Sequence, residues 1–465
     1  VTGRTQQFRQ ERLTLPGKSL QQLSLFQPEQ ESTFEVWKQQ ASEWGYRLVF
    51  DELDTEKVTF LGGLDERVHS WFRLTPSFSP YLVRLMLERL GTESRYLILD
   101  PFAGASTTLI ESKFLGYNAI GVEINPVFVL MGECALDWDY NIPVLRKVAD
   151  ELLRAIKAEK DACRGLSLEE YLYYSQMKIP PIQDPFRWWR RDVLKDLLTI
   201  KRQIKSIFAE THYFKLFWGA LCSIVIDVAN VHRRHPTLTF TDRSNDCIDV
   251  IGEFKAKVER MVRDLTGCAT LSKVGTAIIK QGDSTKLSSI AGVAHVDRVI
   301  TSPPYPNRYS YVMETRPQLF FLDMMTHAKE AADLDLATIG GTWGKATSVL
   351  QNGAIQPIHP VIAESLKEQI AALRTHDNLM CNYAVKFFNM MYVHFTELVK
   401  VLNKGARCAY VVGNSRLKGQ DFFTDLILAN MMQTLNFTVD EIWVVRRRLG
   451  RRELYEDVVI ATWNG

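Results

Sequence analysis

The run "YLILDPFAGASTTLIESKFLGYNAIGVEI" (96–124) limits the architecture more than any other stretch. "YLILD" (96–100) reads as a short buried strand ending at an acid. "STTLIESKFLG" (106–116) opens on Ser106, a residue type suited to a helix N-cap, and stops at Gly116. "NAIGVEI" (118–124) is a second strand. Strand, tight turn, helix, strand is a βαβ unit, which brings a parallel sheet with it. Just upstream, "SPYLVRLMLERLG" (79–91) carries apolar residues at helical spacing and ends at Gly91, a good C-cap.

The same rhythm returns late in the chain. "TAIIKQGD" (276–283), "DRVITS" (297–302), "RCAYVVG" (407–413), "FTVDEIWVV" (437–445) and "EDVVIAT" (456–462) read as strands. Between them lie helical patterns such as "PVLRKVADELLRAIKAEK" and "WWRRDVLKDLLTIKRQIKSIF". The chain therefore divides into an N-terminal extension (1–65), the first part of an α/β domain (66–126), a mainly helical insertion (127–275), the domain continued (276–305), a second insertion (306–380) and the domain's C-terminal part (381–465). The Gln- and Arg-rich first 30 residues read as a flexible tail. The last two strands, joined by a short basic loop, are predicted to pair antiparallel.

Bulk numbers narrow the function classes. With 56 Lys and Arg against 54 Asp and Glu, the net charge is +2, so polyanion binding must come from local patches. Seven cysteines with no C-x-x-C pair argue against a zinc site or a disulfide framework and fit a reducing, cytoplasmic home. No metal is expected. The polar N-terminus is neither a secretory signal nor a membrane span, and no apolar run approaches the roughly 20 residues of a transmembrane helix, so no membrane association is expected.

Four strand ends carry chemistry. In open α/β sheets ligands bind at the carboxyl ends of the strands. Asp100 ends the first, and "PFAGAS" then makes a small-residue turn whose N–H groups a ligand can approach; a plain strand-to-helix turn looks the same. No G-x-G-x-x-G or G-x-x-x-x-G-K-[ST] occurs, which argues against dinucleotide and P-loop fingerprints. Glu123, 23 residues on, has the spacing of an acid that takes ribose hydroxyls, although a lone Glu at a strand end is usually just solvated. Asp283 sits just past the next strand, where an N-cap would look alike. The fourth end is "VITSPPYPNRYSY" (299–311). Proline lacks the ladder N–H, so Pro303 and Pro304 stop the strand in a rigid loop. Ser302 offers a hydroxyl and Pro303 a carbonyl, two acceptors suited to an exocyclic amine, and Tyr305 can stack on a planar base.

With those residues in view, "DPFAGASTT" and "TSPPY" resemble the S-adenosylmethionine-dependent DNA methyltransferases that modify exocyclic amines. That family's patterns are D-P-F-x-G-x-G-T and [D/N/S]-P-P-[Y/F/W], the serine form being chiefly that of cytosine-N4 enzymes. The resemblance implies a Rossmann-like class I methyltransferase fold, α/β, with a mostly parallel seven-stranded sheet and a C-terminal antiparallel strand. It implies that Asp100, Pro101, Phe102, Ala103 and Gly104 cradle the methionine end of S-adenosyl-L-methionine, with Phe78 nearby. Glu123 and Ile124 would take the ribose, Asp283 and Ser284 the adenine amine, and Ser302, Pro303, Pro304 and Tyr305 the target base. The implied substrate is double-stranded DNA, and a restriction nuclease or other defence-system subunit is the implied companion. The chain departs from the pattern at Ser106, in place of the second glycine, and at the extra Pro306. Adenine-N6 methylation on the same architecture is the nearest competing reading. An RNA base-amine methyltransferase and a DNA-binding protein without turnover are more distant ones.

Four other features invite a role. "RRRLGRR" (446–452) places Arg446, Arg447, Arg448, Arg451 and Arg452 beside the catalytic face if the preceding strand runs parallel to the others, as a clamp on DNA phosphates or as a solvated turn. "HRRHP" (232–236) has two histidines without partners for a metal and reads as surface or phosphate-facing. In "WWRR" (188–191) a helix that packs both Trp inward is favoured over a nucleic-acid contact. The helical insertion is either part of target recognition or a buttress.

Overall fold

In the computed structural model, residues 32–74, 77–234, 237–342, 345–448 and 454–465 are described. The strands in chain order are β1 Leu48–Phe50, β2 Leu97–Asp100, β3 Asn118–Glu123, β4 Val231–Arg234, β5 Thr237–Phe240, β6 Ala277–Gln281, β7 Val296–Thr301, β8 Leu402–Gly413, β9 Ser415–Leu417, β10 Gln420–Phe422, β11 Phe437–Arg448 and β12 Leu454–Trp463. One sheet has the order β1-β11-β12-β8-β7-β2-β3-β6. Every pairing in it is parallel except the two that β12 makes, with β11 and with β8. The fold is thus α/β and Rossmann-like with an antiparallel C-terminal strand, as expected. The count differs: the sheet has eight strands, because the N-terminal extension contributes β1, three residues paired with Ile442–Val444 of β11. A three-residue strand leaves no periodicity to read.

Helices cover both faces of the sheet. Along β2 the side chains alternate, so Ile98 joins one apolar core and Leu99 the other. The first core holds the helix Pro80–Arg89. Ser79 caps it, accepting from the Tyr81 N–H at 3.2 Å, and Gly91 closes it at φ +59°. The second core is built on the long helix Asn378–Leu398, whose Phe387, Met391 and Phe395 are buried.

Between β3 and β6 the chain makes a large, mainly helical excursion. It leaves and returns on neighbouring strands, since the Gly282 N–H donates to the Glu123 carbonyl at 2.9 Å. Its helices Ile142–Ala162, Arg191–Phe208 and Val250–Cys268 bury one apolar stripe each. It is not wholly helical: β4 and β5 form an antiparallel pair that carries His232 and Arg233. Trp188 and Trp189 are core residues, and the Trp189 indole N–H donates to the Val225 carbonyl at 2.9 Å. All seven cysteines are free. No helix among the described residues is long and apolar enough to cross a membrane.

Candidate active site

The carboxyl ends of β2, β3, β6 and β7 open onto one cleft. Pro101, Phe102 and Gly104 come from the turn after β2, Glu123 and Ile124 from β3, Asp283 and Ser284 from beyond β6, and Ser302 and Pro304 from beyond β7. Residues scattered over 200 positions of sequence meet because parallel strands aim all their carboxyl ends the same way.

Glu123 is the best-defined group. One carboxylate oxygen accepts from the Gly104 N–H at 2.9 Å and the other from the Asn125 N–H at 2.8 Å. Those bonds fix the carboxylate and leave lone pairs toward the cleft. Burial nevertheless pushes its pKa up to about 7, with Asp100 adding to the rise and the two amides opposing it. Asp283 caps the short turn Ser284–Ser289, accepting from the Thr285 N–H at 2.9 Å and hydroxyl at 2.7 Å. Beneath, His394 bridges the Ser284 carbonyl (3.2 Å) and the Tyr410 hydroxyl (2.7 Å), and its ring lies 4.7 Å from that of Phe102. Burial holds the imidazole down at about pH 4, so it is a neutral strut.

Neither Asp100 nor Phe78, both predicted to touch the cofactor, lines this cleft. Asp100 is fully buried under the turn. Its Oδ1 accepts from the Phe102 N–H (3.1 Å) and from the Thr301 hydroxyl (2.6 Å), while Oδ2 has no hydrogen-bond partner among the described residues. The carboxyl therefore joins the turn to the residue just before Ser302, and burial raises its pKa to about 6. Phe78 lies in the neighbouring cavity, not in this cleft. Ala103 is buried, its N–H tied to the Val122 carbonyl at 3.0 Å. Ser106 is no side-chain cap: it sits in the left-handed region at φ +63°, and its hydroxyl has no partner. That backbone explains why a glycine is the residue natural to this place.

A second cavity, of about 940 Å³, adjoins the first and shares Ser302 and Tyr311 with it. Pro303 and Tyr305 come from the proline loop, Phe60 and Phe78 from the segment before β2, and Arg446 and Arg448 from β11. β11 does run parallel to the other strands, so its carboxyl end lies on this face. Its arginines are not free, however. Arg446 holds Glu456 through Nε (2.9 Å) and Nη2 (2.6 Å), and Arg448 donates to the Asn414 carbonyl at 3.0 Å. Arg447 is exposed, and Arg451 and Arg452 lie outside the described residues. The phosphate-clamp reading thus loses Arg446, whose charge is matched by a buried carboxylate. Glu456, Tyr309 and Tyr311 escaped the sequence reading. A signal for Glu456 exists: in the β11–β12 pairing it stands directly opposite Arg446.

Comparison with known proteins agrees with this arrangement. A DNA methylase family of N6/N4 type matches residues 3–133. Type II methyltransferase M.BsoBI of Geobacillus stearothermophilus is 23% identical over 447 residues, 87% of this chain and 86% of its own length. The chain is similar over most of its length to type II methyltransferases. Type II methyltransferase M.AvaI of Nostoc sp. is 23% identical over 85% of this chain and 84% of its own length. Type II methyltransferase M.MjaII of Methanocaldococcus jannaschii reaches 30% identity over 30% of this chain and 25% of its own.

Proposed function

We propose that this protein transfers a methyl group from S-adenosylmethionine to the exocyclic N4 amine of cytosine within a specific sequence of double-stranded DNA. The observation that carries this is the meeting of the two cavities at Ser302. The residues fit the donor: apolar walls at Ile124 and Phe128 suit a purine, Asp283 can accept from its amine, and Glu123 can accept from ribose hydroxyls. When bound, S-adenosylmethionine supplies a methyl group on a cationic sulfur, which leaves as a neutral thioether once the amine nitrogen takes the methyl. The chain's own residues position the amine. The Ser302 hydroxyl and the Pro303 carbonyl accept its two N–H bonds, which localises the nitrogen lone pair, and the methylated amine sheds one proton to water. Tyr309 and Tyr311, whose rings lie 4.9 Å apart edge to face, give the base cavity aromatic walls for an extruded base.

One feature favours cytosine over adenine: the proline loop begins with serine, the form the resemblance links to cytosine. The test is incubation with labelled S-adenosylmethionine and mixed-sequence DNA, then nucleoside analysis. N4-methylcytosine is expected; N6-methyladenine would move the assignment to the other base, and no product would remove the activity. A restriction nuclease acting at the same sequence is the partner this reading implies.

DNA needs cations without partners of their own. Arg73, Arg187 and Arg308 are exposed and have no carboxylate partner among the described residues. Arg73 stands over Phe60 of the base cavity, Arg308 follows Asn307 of the same cavity, and Arg187 stacks on Phe240 of β5 at 4.0 Å. Changing all three to Gln should weaken binding alike on all sequences and flatten the salt dependence by about 0.9 per lost phosphate contact. DNA titration at several ionic strengths reads this, and an unchanged slope would exclude them. The excursion between β3 and β6 supplies Arg187 and β5, which ties it to DNA contact in this reading.

A further inference from the structure

A serine hydroxyl helps an amine only as an acceptor, and nothing in serine itself enforces that. A hydroxyl carries one proton and two lone pairs and rotates to suit its surroundings. Aspartate at this place would be acceptor-only by its charge. Serine needs somewhere else to send its proton, and the second cavity holds a set of groups that provides it.

From the arrangement we infer that Arg446, Glu456 and Tyr305 form a one-way hydrogen-bond relay that turns the Ser302 hydroxyl into an obligatory acceptor for the target amine. The inference rests on the methyl-transfer reading. It begins at Arg446, which can only donate. Its Nε and Nη2 reach one oxygen of Glu456 at 2.9 and 2.6 Å, so no proton has room on that oxygen. The other oxygen of Glu456 accepts from the Tyr305 hydroxyl at 2.9 Å. The phenol has thereby committed its only proton, and its oxygen is left as an acceptor. Ser302 lines the same cavity three positions earlier in the loop, within reach of donating its proton to that oxygen in the relay. Burial beside Glu456 keeps the phenol protonated. Ser302 then gives its proton to Tyr305, and its lone pairs are turned to the amine.

The parts of the relay are held rigidly. Glu456 is 8% exposed and sits in β12, paired across the sheet with Arg446 on one side and Gly413 on the other. The Tyr305 ring lies against Gly413, where an added Cβ would come within 2.8 Å of ring carbon Cε2. No side chain fits between strand and ring, so the ring packs directly on the strand that pairs with Glu456. Arg446 and Glu456 act through Tyr305 and are positioning residues.

The test is a double-mutant cycle read by single-turnover methyl transfer, with cofactor and DNA affinities measured beside it. Tyr305→Phe keeps the ring and removes the relay. It should slow transfer by about tenfold, the worth of one net hydrogen bond, with both affinities unchanged. Glu456→Gln should slow transfer similarly, and the double variant should be no slower than the slower single one. In a Ser302→Ala background, Tyr305→Phe should add nothing, a cycle that needs no change at buried Glu456. Full activity of Tyr305→Phe, or losses that multiply in either cycle, overturns the relay while leaving methyl transfer standing. A wild-type enzyme that yields no methylated base overturns both.

Discussion

Ser302→Ala is expected to lower the rate of methyl transfer by about 10²-fold or more while S-adenosylmethionine binds as before. The hydroxyl stands at the seam between the two cavities and acts on the amine as the nitrogen's lone pair is drawn out, so its loss appears in the chemical step. In the proposed reading the donor's purine and ribose are served by Asp283, beyond β6, and Glu123, at the end of β3. The alanine variant should therefore show wild-type calorimetric binding of the cofactor alongside a collapsed single-turnover rate. Wild-type turnover in the variant would remove Ser302 from the reaction.

The second large effect lies at Glu123. Its carboxyl is raised to about 7 by burial, and only the ionised form has the full set of lone pairs for two ribose hydroxyls. Cofactor affinity should then rise with pH. Between pH 6 and pH 8 the ionised fraction grows from about one-tenth to about nine-tenths, an increase near tenfold in apparent affinity. Glu123→Gln should flatten that profile and bind about 10- to 100-fold more weakly at pH 8, through loss of charge-assisted hydrogen bonds. The sign for the ligand-free protein is opposite. A carboxyl whose folded pKa is raised stabilises the fold most below its unfolded pKa, and that contribution is lost as pH climbs through about 7. The cofactor's thermal-shift stabilisation should thus grow over the pH range in which the ligand-free protein weakens. A flat wild-type binding profile would sink the ribose assignment.

Much of this site can be read from the sequence because its key residues stand at strand ends, where chemistry and punctuation coincide. Pro303 and Pro304 mark the end of β7, and the spacing from Asp100 to Glu123 marks one βαβ unit. Seven strands of the sheet are legible for the same reason, being apolar and bounded by turns. What was misread depended on backbone conformation or depth. The left-handed turn at Ser106 is invisible in a residue that also caps helices. The burial of Asp100 beneath the turn cannot be read from its place at a strand end, and the aromatic ring of Phe78 gives no hint of which cavity it lines. The relay through Glu456 draws on residues about 150 positions from Ser302. Only the pairing of β11 with β12 brings them near, and the run of arginines there reads more readily as a patch for phosphate than as a partner for a buried acid.

The short strand β1 has a consequence unconnected with catalysis. It covers Ile442–Val444 at the middle of β11, the strand that would otherwise end the sheet on that side. An uncovered edge presents a row of unsatisfied N–H and C=O groups to any other chain, which is a route to intermolecular association. Tyr46, beside β1, anchors the cover by donating from its hydroxyl to Asn430 at 2.6 Å. A truncation that begins after Phe50 would keep both cavities and every residue of the relay, yet it would strip the paired strand from Ile442–Val444. Its defect should be self-association at high concentration, with the chemistry intact in dilute solution. Those few N-terminal residues thus protect the colloidal behaviour of an enzyme whose reaction they never touch.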